Sequence, residues 1–521
     1  MTAAATDSDI VLCLSGITKR FGPLVANDAI GFDLRRGEII ALLGENGAGK
    51  TTLMNILFGH YLADSGDIEV FGRKLPPGSP RAAIAAGIGM VHQHFTLADN
   101  LTVLDNIMLG TEGLWRPATN RRRAQQRLEK LAADFGLHID GNARVADLSV
   151  GERQRVEILK VLYREARILI LDEPTAVLTP QESRALFQTL AKLVAQGLSV
   201  IFISHKLNEV LTVSSRILVL RGGKLVAERR TAETSKAELA SLMVGREIPP
   251  PKVEPQAAGK VAVRLAKVRV AGAGGATLLN DVSLELRSGE IFGIAGVAGN
   301  GQSALADLLS GLTRPAAGTV ELFGNPLNDW RPRHVIDAGV GRIPEDRHAA
   351  GAIADMSVAE NAIAEIHRSP QISRHGFLDW RSARRFAQQI VADYDVKCPS
   401  PAAPMRLLSG GNMQKLILGR VLSQSPRLVL ANQPTRGLDV GAIDYVHRQL
   451  LGVRWAGGSV ILISEDLDEL LSLADRIAVM YRGHLSAPMA RAGVTIEQLG
   501  LMMAGQGFEG TAFETGAGHE A

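Results

Sequence analysis

The sequence predicts an α/β fold repeated in tandem, two domains each built on a mainly parallel sheet. Three observations carry this. The chain duplicates itself: Gly37–Leu43 (GEIIALL) leading into GENGAGKTTL recurs as GEIFGIA from Gly289 leading into GVAGNGQSAL. Short β-branched runs alternate with longer amphipathic stretches, the pattern of strands connected by helices. A glycine-rich loop also stands between a buried apolar run and a helix start, where parallel sheets present their ligand crevice.

The repeat sets the boundaries. GIGMVHQHF at Gly87 matches GVGRIPEDR at Gly339, LSVGERQR at Leu148 matches LSGGNMQK at Leu408, and LILDEPT at Leu169 matches VLANQPT at Val429. The spacing rises from 252 to 260 after the first of these pairs, so copy 2 carries eight extra residues there. Copy 1 spans residues 1–246 and copy 2 spans 259–505. REIPPPKVEPQAAGK lies between them, and its prolines break helix and strand alike, which makes 247–258 a linker. Residues 506–521 are Gly-rich without periodicity and read as a flexible tail. In copy 1 the predicted strands are Ile39–Leu43, Ile168–Leu171, Ser199–Ile203 and Ile217–Leu220, with helices over Arg121–Phe135 and Gln181–Ala195.

Composition narrows the class. The 521 residues, 46% hydrophobic and 21% charged, are ample for several folded cores. A net charge of +3 gives no overall field for nucleic acid, so any polyanion must bind locally. Two cysteines, Cys13 and Cys398, fit a reducing compartment and read as small core residues. The start MTAAATDSDIVLCLSG lacks a signal-peptide pattern, and no stretch approaches the ~20 apolar residues of a membrane span.

The chemistry begins at Gly44, Glu45, Asn46, Gly47, Ala48, Gly49, Lys50, Thr51 and Thr52, which fit G-x-x-x-x-G-K-[ST]. Backbone N–H groups of such a loop curl around phosphate oxygens, the lysine supplies a full positive charge, and the Thr51 hydroxyl can hold Mg²⁺. The pattern predicts a nucleoside triphosphate site. Ile168–Leu171 ends in Asp172 and Glu173. Asp172 is placed to hold Mg²⁺ and Glu173 to polarise an attacking water.

Together with Gln93, the LSVGE stretch at Leu148–Glu152 and the Ser204-His205 pair, these motifs occur in an order that resembles the ATP-binding cassette family over nearly the whole chain. The LSxGE/LSGG element is the most diagnostic of them. A tandem cassette with PTAVLTPQE in copy 1 and PTRGLD in copy 2 resembles the ATPase subunits of bacterial ribose-type sugar and nucleoside importers. HQHF at His92–Phe95 with AVLTPQE leans to the nucleoside branch.

The resemblance implies two P-loop ATPase domains, each with a helical subdomain, that bind ATP and Mg²⁺. It implies that Phe21 stacks on adenine, that Gln93 senses Mg²⁺ and the attacking water, and that His205 contacts the γ-phosphate. It further implies that the signature serine and glycines grip the γ-phosphate of ATP held by the opposite cassette. The partners implied are two integral-membrane permease subunits, with an extracytoplasmic solute-binding protein acting through them. Docking falls around Phe95–Leu97 and Arg347–Gly351, on the cytoplasmic face of the cell membrane. The competing class is a soluble tandem ATPase acting on nucleic acid or ribosomes; the short, non-basic linker and one degenerate site argue against it.

Copy 2 departs from the pattern at nearly every catalytic position. Lys50 corresponds to Gln302, Gln93 to Glu345, Asp172 to Asn432, Glu173 to Gln433, His205 to Glu465, and Phe21 to Ala273. Yet copy 2 keeps Ser409, Gly410, Gly411 and Asp439, where copy 1 has Val150 for the first signature glycine and Thr179 opposite Asp439. One complete site therefore combines the catalytic residues of copy 1 with the signature of copy 2. Asn412 stands where the family more often has Gln or Glu. Arg121, Arg122 and Arg123 read as a solvated helix face. His92 and His94 lack a third ligand and read as loop residues, not a metal pair.

Overall fold

The computed structural model describes residues 9–92, 95–111, 120–175, 178, 180–204, 206–247, 253–254, 256, 259–272 and 276–508. The chain divides into two compact units, Met1–Pro249 and Pro250–Ala521.

Unit 1 contains two sheets. Strands β1 (Ile10–Phe21), β2 (Leu24–Arg35), β4 (Ser65–Val70) and β5 (Arg73–Lys74) form an antiparallel sheet. Strands β3 (Ile39–Gly44), β6 (Ile88–Val91), β7 (Ile168–Asp172), β8 (Ser199–Ile203), β9 (Arg216–Arg221) and β10 (Lys224–Arg230) form the second, ordered β10-β9-β3-β8-β7-β6. All of its pairings are parallel except β10 on β9. β3, β6, β7 and β8 are buried along their whole length, as a parallel sheet covered on both faces requires. Leu12, Leu14 and Ile17 of β1 share one apolar core with Ile40 and Leu42 of β3 and with Leu53, Met54 and Leu57 of helix Lys50–Phe58. The antiparallel sheet thus covers the helix that follows the glycine loop.

The four expected strands and two expected helices of copy 1 are present, with β7 extended to Asp172, β9 spanning Arg216–Arg221 and the later helix beginning at Pro180. The antiparallel sheet was not among the expectations. Its strands carry register shifts and mixed burial, so no clean alternation marks them. Cys13 and Cys398 are half-buried and not core residues: Cys13 lies on β1 with its Sγ 3.8 Å from Ser15 Oγ, and Cys398 packs at the margin of a core.

Unit 2 repeats the plan. Strands β11 (Val261–Ala271), β12 (Thr277–Arg287), β14 (Ala317–Leu322) and β15 (Asn325–Pro326) form its antiparallel sheet. β13 (Ile291–Ala295), β16 (Val340–Ile343), β19 (Leu428–Asn432), β20 (Ser459–Ser464), β21 (Arg476–Tyr481), β22 (His484–Leu485) and β23 (Met489–Ala490) form the other. A hairpin of β17 (Ser373–Arg374) and β18 (Phe377–Leu378) falls in the interval where copy 2 is longer. Within the expected linker, the fully buried Arg454 donates to the Glu254 carbonyl at 2.9 Å and to Gln256 Oε1 at 3.4 Å while pairing with Asp475. That part of the linker is therefore fastened to unit 2. Gln506–Phe508, read from the sequence as the start of the tail, are packed as well: Gln506 N–H donates to the Leu501 carbonyl and the Phe508 ring lies 5.8 Å from Tyr481.

Candidate functional site

In unit 1 the glycine loop leaves the C-terminal end of β3, and β7 ends in Asp172 two strands away with β8 between them. Gly49 caps helix Lys50–Phe58 at φ 99°, a left-handed conformation that glycine adopts without cost. A Cβ there would lie 2.2 Å from the Ala26 carbonyl oxygen, so only glycine fits. Asn27, fully buried on β2, donates from Nδ2 to the Gly49 carbonyl at 3.1 Å. Sequence reasoning missed Asn27; a buried amide in an otherwise mixed strand carries no motif.

Lys50 is buried, and its ammonium donates to the carbonyls of Gly44 at 2.7 Å and Glu45 at 3.0 Å. The cation is thus held at the mouth of the loop it serves. Thr51, one residue on, is exposed. Burial, then the neighbouring Glu173 carboxylate, push the Asp172 carboxyl up to about 6, against the opposing pull of Lys50. Thr51 and Asp172 each offer oxygen, the donor that a hard divalent cation takes, and a carboxyl this reluctant to ionise alone gains most from one.

Glu173 follows the strand at φ 46° and donates its N–H to the Ile203 carbonyl of β8 at 2.9 Å. Gln433 sits in the same left-handed conformation at φ 49°. The strained turn is therefore shared by both copies and does not depend on the carboxylate. Thr175 Oγ1 donates to Glu209 Oε2 at 2.6 Å and Ser204 Oγ to the same oxygen at 3.0 Å, which ties the loop after β7 to the end of β8. Glu209 too escaped sequence reasoning. Phe21 ends β1 with its ring 45% exposed and edge-on to Tyr61 at 5.8 Å, leaving aromatic surface for a base. Gln93 and His205, together with Thr179 and Ala273, lie outside the described residues. His92, beside Gln93, stacks on His60 with ring centroids 6.0 Å apart. Arg121 pairs with Asp105, while Arg122 and Arg123 are exposed.

The equivalent loop of unit 2 is closed by its own side chain. Gln302 Nε2 donates to the Val297 carbonyl at 2.9 Å, and Gln302 Oε1 accepts the Asn300 N–H at 3.1 Å. A neutral amide occupies the lysine position and also takes up a backbone donor of the kind that phosphate uses. Asn432 is buried, and Gln433 Oε1 accepts the Glu465 N–H at 3.3 Å.

The signature loops differ in a complementary way. Ser149 and Glu152 form a complete capping box at helix Val150–Tyr163, with Ser149 Oγ donating to Glu152 Oε2 at 2.8 Å. At helix Gly410–Leu422, Ser409 is likewise the N-cap, accepting the Asn412 N–H at 3.5 Å, but there the side chain three residues on donates to it, Asn412 Nδ2 lying 2.8 Å from Ser409 Oγ. The Ser409 hydroxyl proton has no acceptor among the described residues, and Gly410 and Gly411 place no side chain on the first turn of the helix. Val150 stands 39% exposed at the matching point of unit 1.

Comparison with known proteins shows the family. The ABC transporter family model matches residues 28–176 and again 279–436. The nucleoside import ATP-binding protein NupA of Lactococcus lactis subsp. cremoris is 42% identical over 96% of this chain and 99% of its own length. The guanosine import ATP-binding protein NupO of Bacillus subtilis is 44% identical over 95% of this chain and 98% of its own. The ribose import ATP-binding protein RbsA of Chromobacterium violaceum is 39% identical over 93% and 96%. Among solved structures, the complex of archaeal ribosomal stalk protein aP1 and ribosome recycling factor aABCE1 matches 91% of the chain with a TM-score of 0.61. At 19% identity that likeness shows the fold alone.

Proposed function

The chain belongs to the ABC transporter family as the ATPase subunit of an importer, and from that premise we propose that it drives nucleoside uptake through one competent composite ATP site. The observation that carries the site is the complementary survival of motifs. Unit 1 retains Lys50, Thr51, Asp172 and Glu173 beside a signature serine whose hydroxyl proton is taken by Glu152, and unit 2 retains Ser409, whose proton has no acceptor among the described residues, with Gly410 and Gly411 beside a self-closed loop.

In this reading ATP lies on the loop Gly44–Thr52, with Phe21 against the adenine. Lys50 turns from the loop carbonyls to the phosphates. Thr51 and Asp172 would hold Mg²⁺, which neutralises charge on the transferred phosphoryl group. Glu173 orients the attacking water, with Gln93 and His205 at the γ-phosphate, and Ser409, Gly410 and Gly411 of the other cassette complete the enclosure. Such preorganised donors act where charge develops in the transition state.

The partners are two permease subunits, and a solute-binding protein acts through them. The chain sits on the cytoplasmic face of the membrane; no helix among the described residues is long and apolar enough to cross one. Nucleoside comes first and simple sugar second on the resemblance of HQHF and AVLTPQE to the nucleoside branch; the identities alone do not separate them, since two nucleoside-type relatives stand at 42% and 44%, a glucose-type one at 43% and a ribose-type one at 39%. The test is uptake of labelled guanosine and labelled ribose by membranes holding the chain and its permeases. Guanosine uptake that requires ATP supports the reading, and uptake of neither solute refutes it.

A further inference from the structure

Within unit 2, the turn Arg347–Gly351 is fastened at one end to the loop after β19 and at the other to the signature helix. At one end Arg347 Nη2 donates to the Arg436 carbonyl, in the loop that follows β19. Its Nη1 lies 3.6 Å from where a Cβ on Gly410 would stand, and its Nη2 lies 3.3 Å from the same point on Gly437. Nη1 is buried and has no hydrogen-bond partner among the described residues. At the other end the buried Arg420 of the signature helix donates to the Gly351 carbonyl at 3.0 Å, and a Cβ on Gly351 would meet Ile417 at 2.7 Å. Asp346 fixes the start of the turn by accepting the N–H groups of His348 and Ala349 at 2.8 and 2.9 Å. Glu345 adds an ion pair to the Arg436 side chain.

Copy 1 lacks the Arg347 end of this clamp, although Lys160, which stands for Arg420, donates to the Thr96 carbonyl at 3.3 Å. By the motif alignment Phe95 stands for Arg347, Ala176 for Arg436 and Gln93 for Glu345. The arginine clamp therefore belongs to the copy whose signature remains intact. A planar guanidinium with several fixed donors suits a post that holds two loops at one spacing.

We propose that Arg347 is a positioning residue: it sets the signature loop at Gly410 and the loop at Arg436–Gly437 in register with the turn Arg347–Gly351, so that displacement of this turn moves the signature. The inference rests on the composite-site reading above, in which that signature serves ATP held by unit 1. A signature out of register slows the hydrolytic step while leaving ATP affinity to the unit 1 loop.

The test is steady-state ATP hydrolysis by the full-length chain with its permeases, as wild type, R347A, R347K and S409R, across an ATP titration. R347A should lower kcat about tenfold with KM for ATP within about twofold, the loss of a charged hydrogen bond at a positioning site. R347K, which retains a cation able to reach one carbonyl, should recover about a third to a half of the wild-type kcat. A kcat for R347A within about twofold of wild type, a loss carried by KM, or an R347K no better than R347A overturns the proposal. If R347A fails to fold, R347K decides alone: wild-type kcat or a KM effect overturns it, and a partial fall in kcat supports it. S409R separates the two readings. Normal hydrolysis by S409R refutes the composite site itself, whereas an inactive S409R beside a wild-type R347A refutes only the role of Arg347.

Discussion

The Ser409 hydroxyl accepts a hydrogen bond from the Asn412 side-chain amide at 2.8 Å. In unit 1 the polarity is reversed, since the Ser149 hydroxyl gives its proton to Glu152. A serine that must donate to a phosphate oxygen is better served by the first arrangement. Asn412, which on sequence alone was a mild departure from the family pattern, keeps the Ser409 proton available and is itself anchored through Oδ1 by the Lys397 N–H at 2.8 Å.

On the composite-site proposal, the unit 1 capping box serves stability and lies outside the competent site. Ser149→Ala should cost about 1 kcal/mol of unit 1 stability, the usual loss for an N-cap. Chemical denaturation should show the unit 1 transition moving to lower denaturant, while ATP hydrolysis stays near wild type. A large loss of hydrolysis with unchanged stability would reverse the assignment of the two signatures.

Asp172 predicts a pH dependence. Its carboxyl titrates near 6 in the folded chain, above its ordinary value, so ionising it opposes folding. Below about pH 4 the group is protonated whether folded or not, and the penalty is absent; it grows as pH rises and is complete above about pH 6. Asp172→Asn, measured without nucleotide or Mg²⁺, should therefore stabilise the chain at pH 7 by on the order of 2 kcal/mol, an advantage that fades between about pH 6 and pH 4. Unit 2 already carries this change as the buried Asn432. An Asp172→Asn variant no more stable at pH 7 than the wild type would contradict the account of this carboxyl.

Because one chain supplies both cassettes, the working transporter should contain one copy of it for each pair of permease subunits. Native mass spectrometry of the assembled complex reads this directly. Two full-length copies per permease pair would contradict a composite site formed within one chain.

Much of this was legible in the sequence. β3, β7 and β8 are unbroken apolar runs bounded by polar residues, and helix Arg121–Phe135 buries Ala124, Leu128, Ala132 and Phe135 at helical spacing. The loop Gly44–Thr52 and the Asp172–Glu173 pair are local motifs whose residues are contiguous. What escaped depends on chain segments far apart. Substitution of Gln93 by Glu345 reads as a loss until the structure pairs Glu345 with Arg436, 91 residues away. Asn27 acts through one hydrogen bond to the glycine loop and Glu209 through two, from Thr175 and Ser204, which no spacing rule announces. The antiparallel sheet was hidden by register shifts that interrupt its alternation.

The central claim is that a single composite site carries the chemistry, and steady-state ATP hydrolysis by the assembled transporter tests it most directly. Each preorganised group of such a site is typically worth about 10²–10³ in rate. Glu173→Gln should nearly abolish turnover while ATP stays bound, and Ser409→Arg should do the same by obstructing the signature. Gln302→Ala and Gln433→Ala should retain most of the activity, since their loop and turn already lack the catalytic groups. Normal hydrolysis by Ser409→Arg together with an inactive Gln433→Ala would contradict the account.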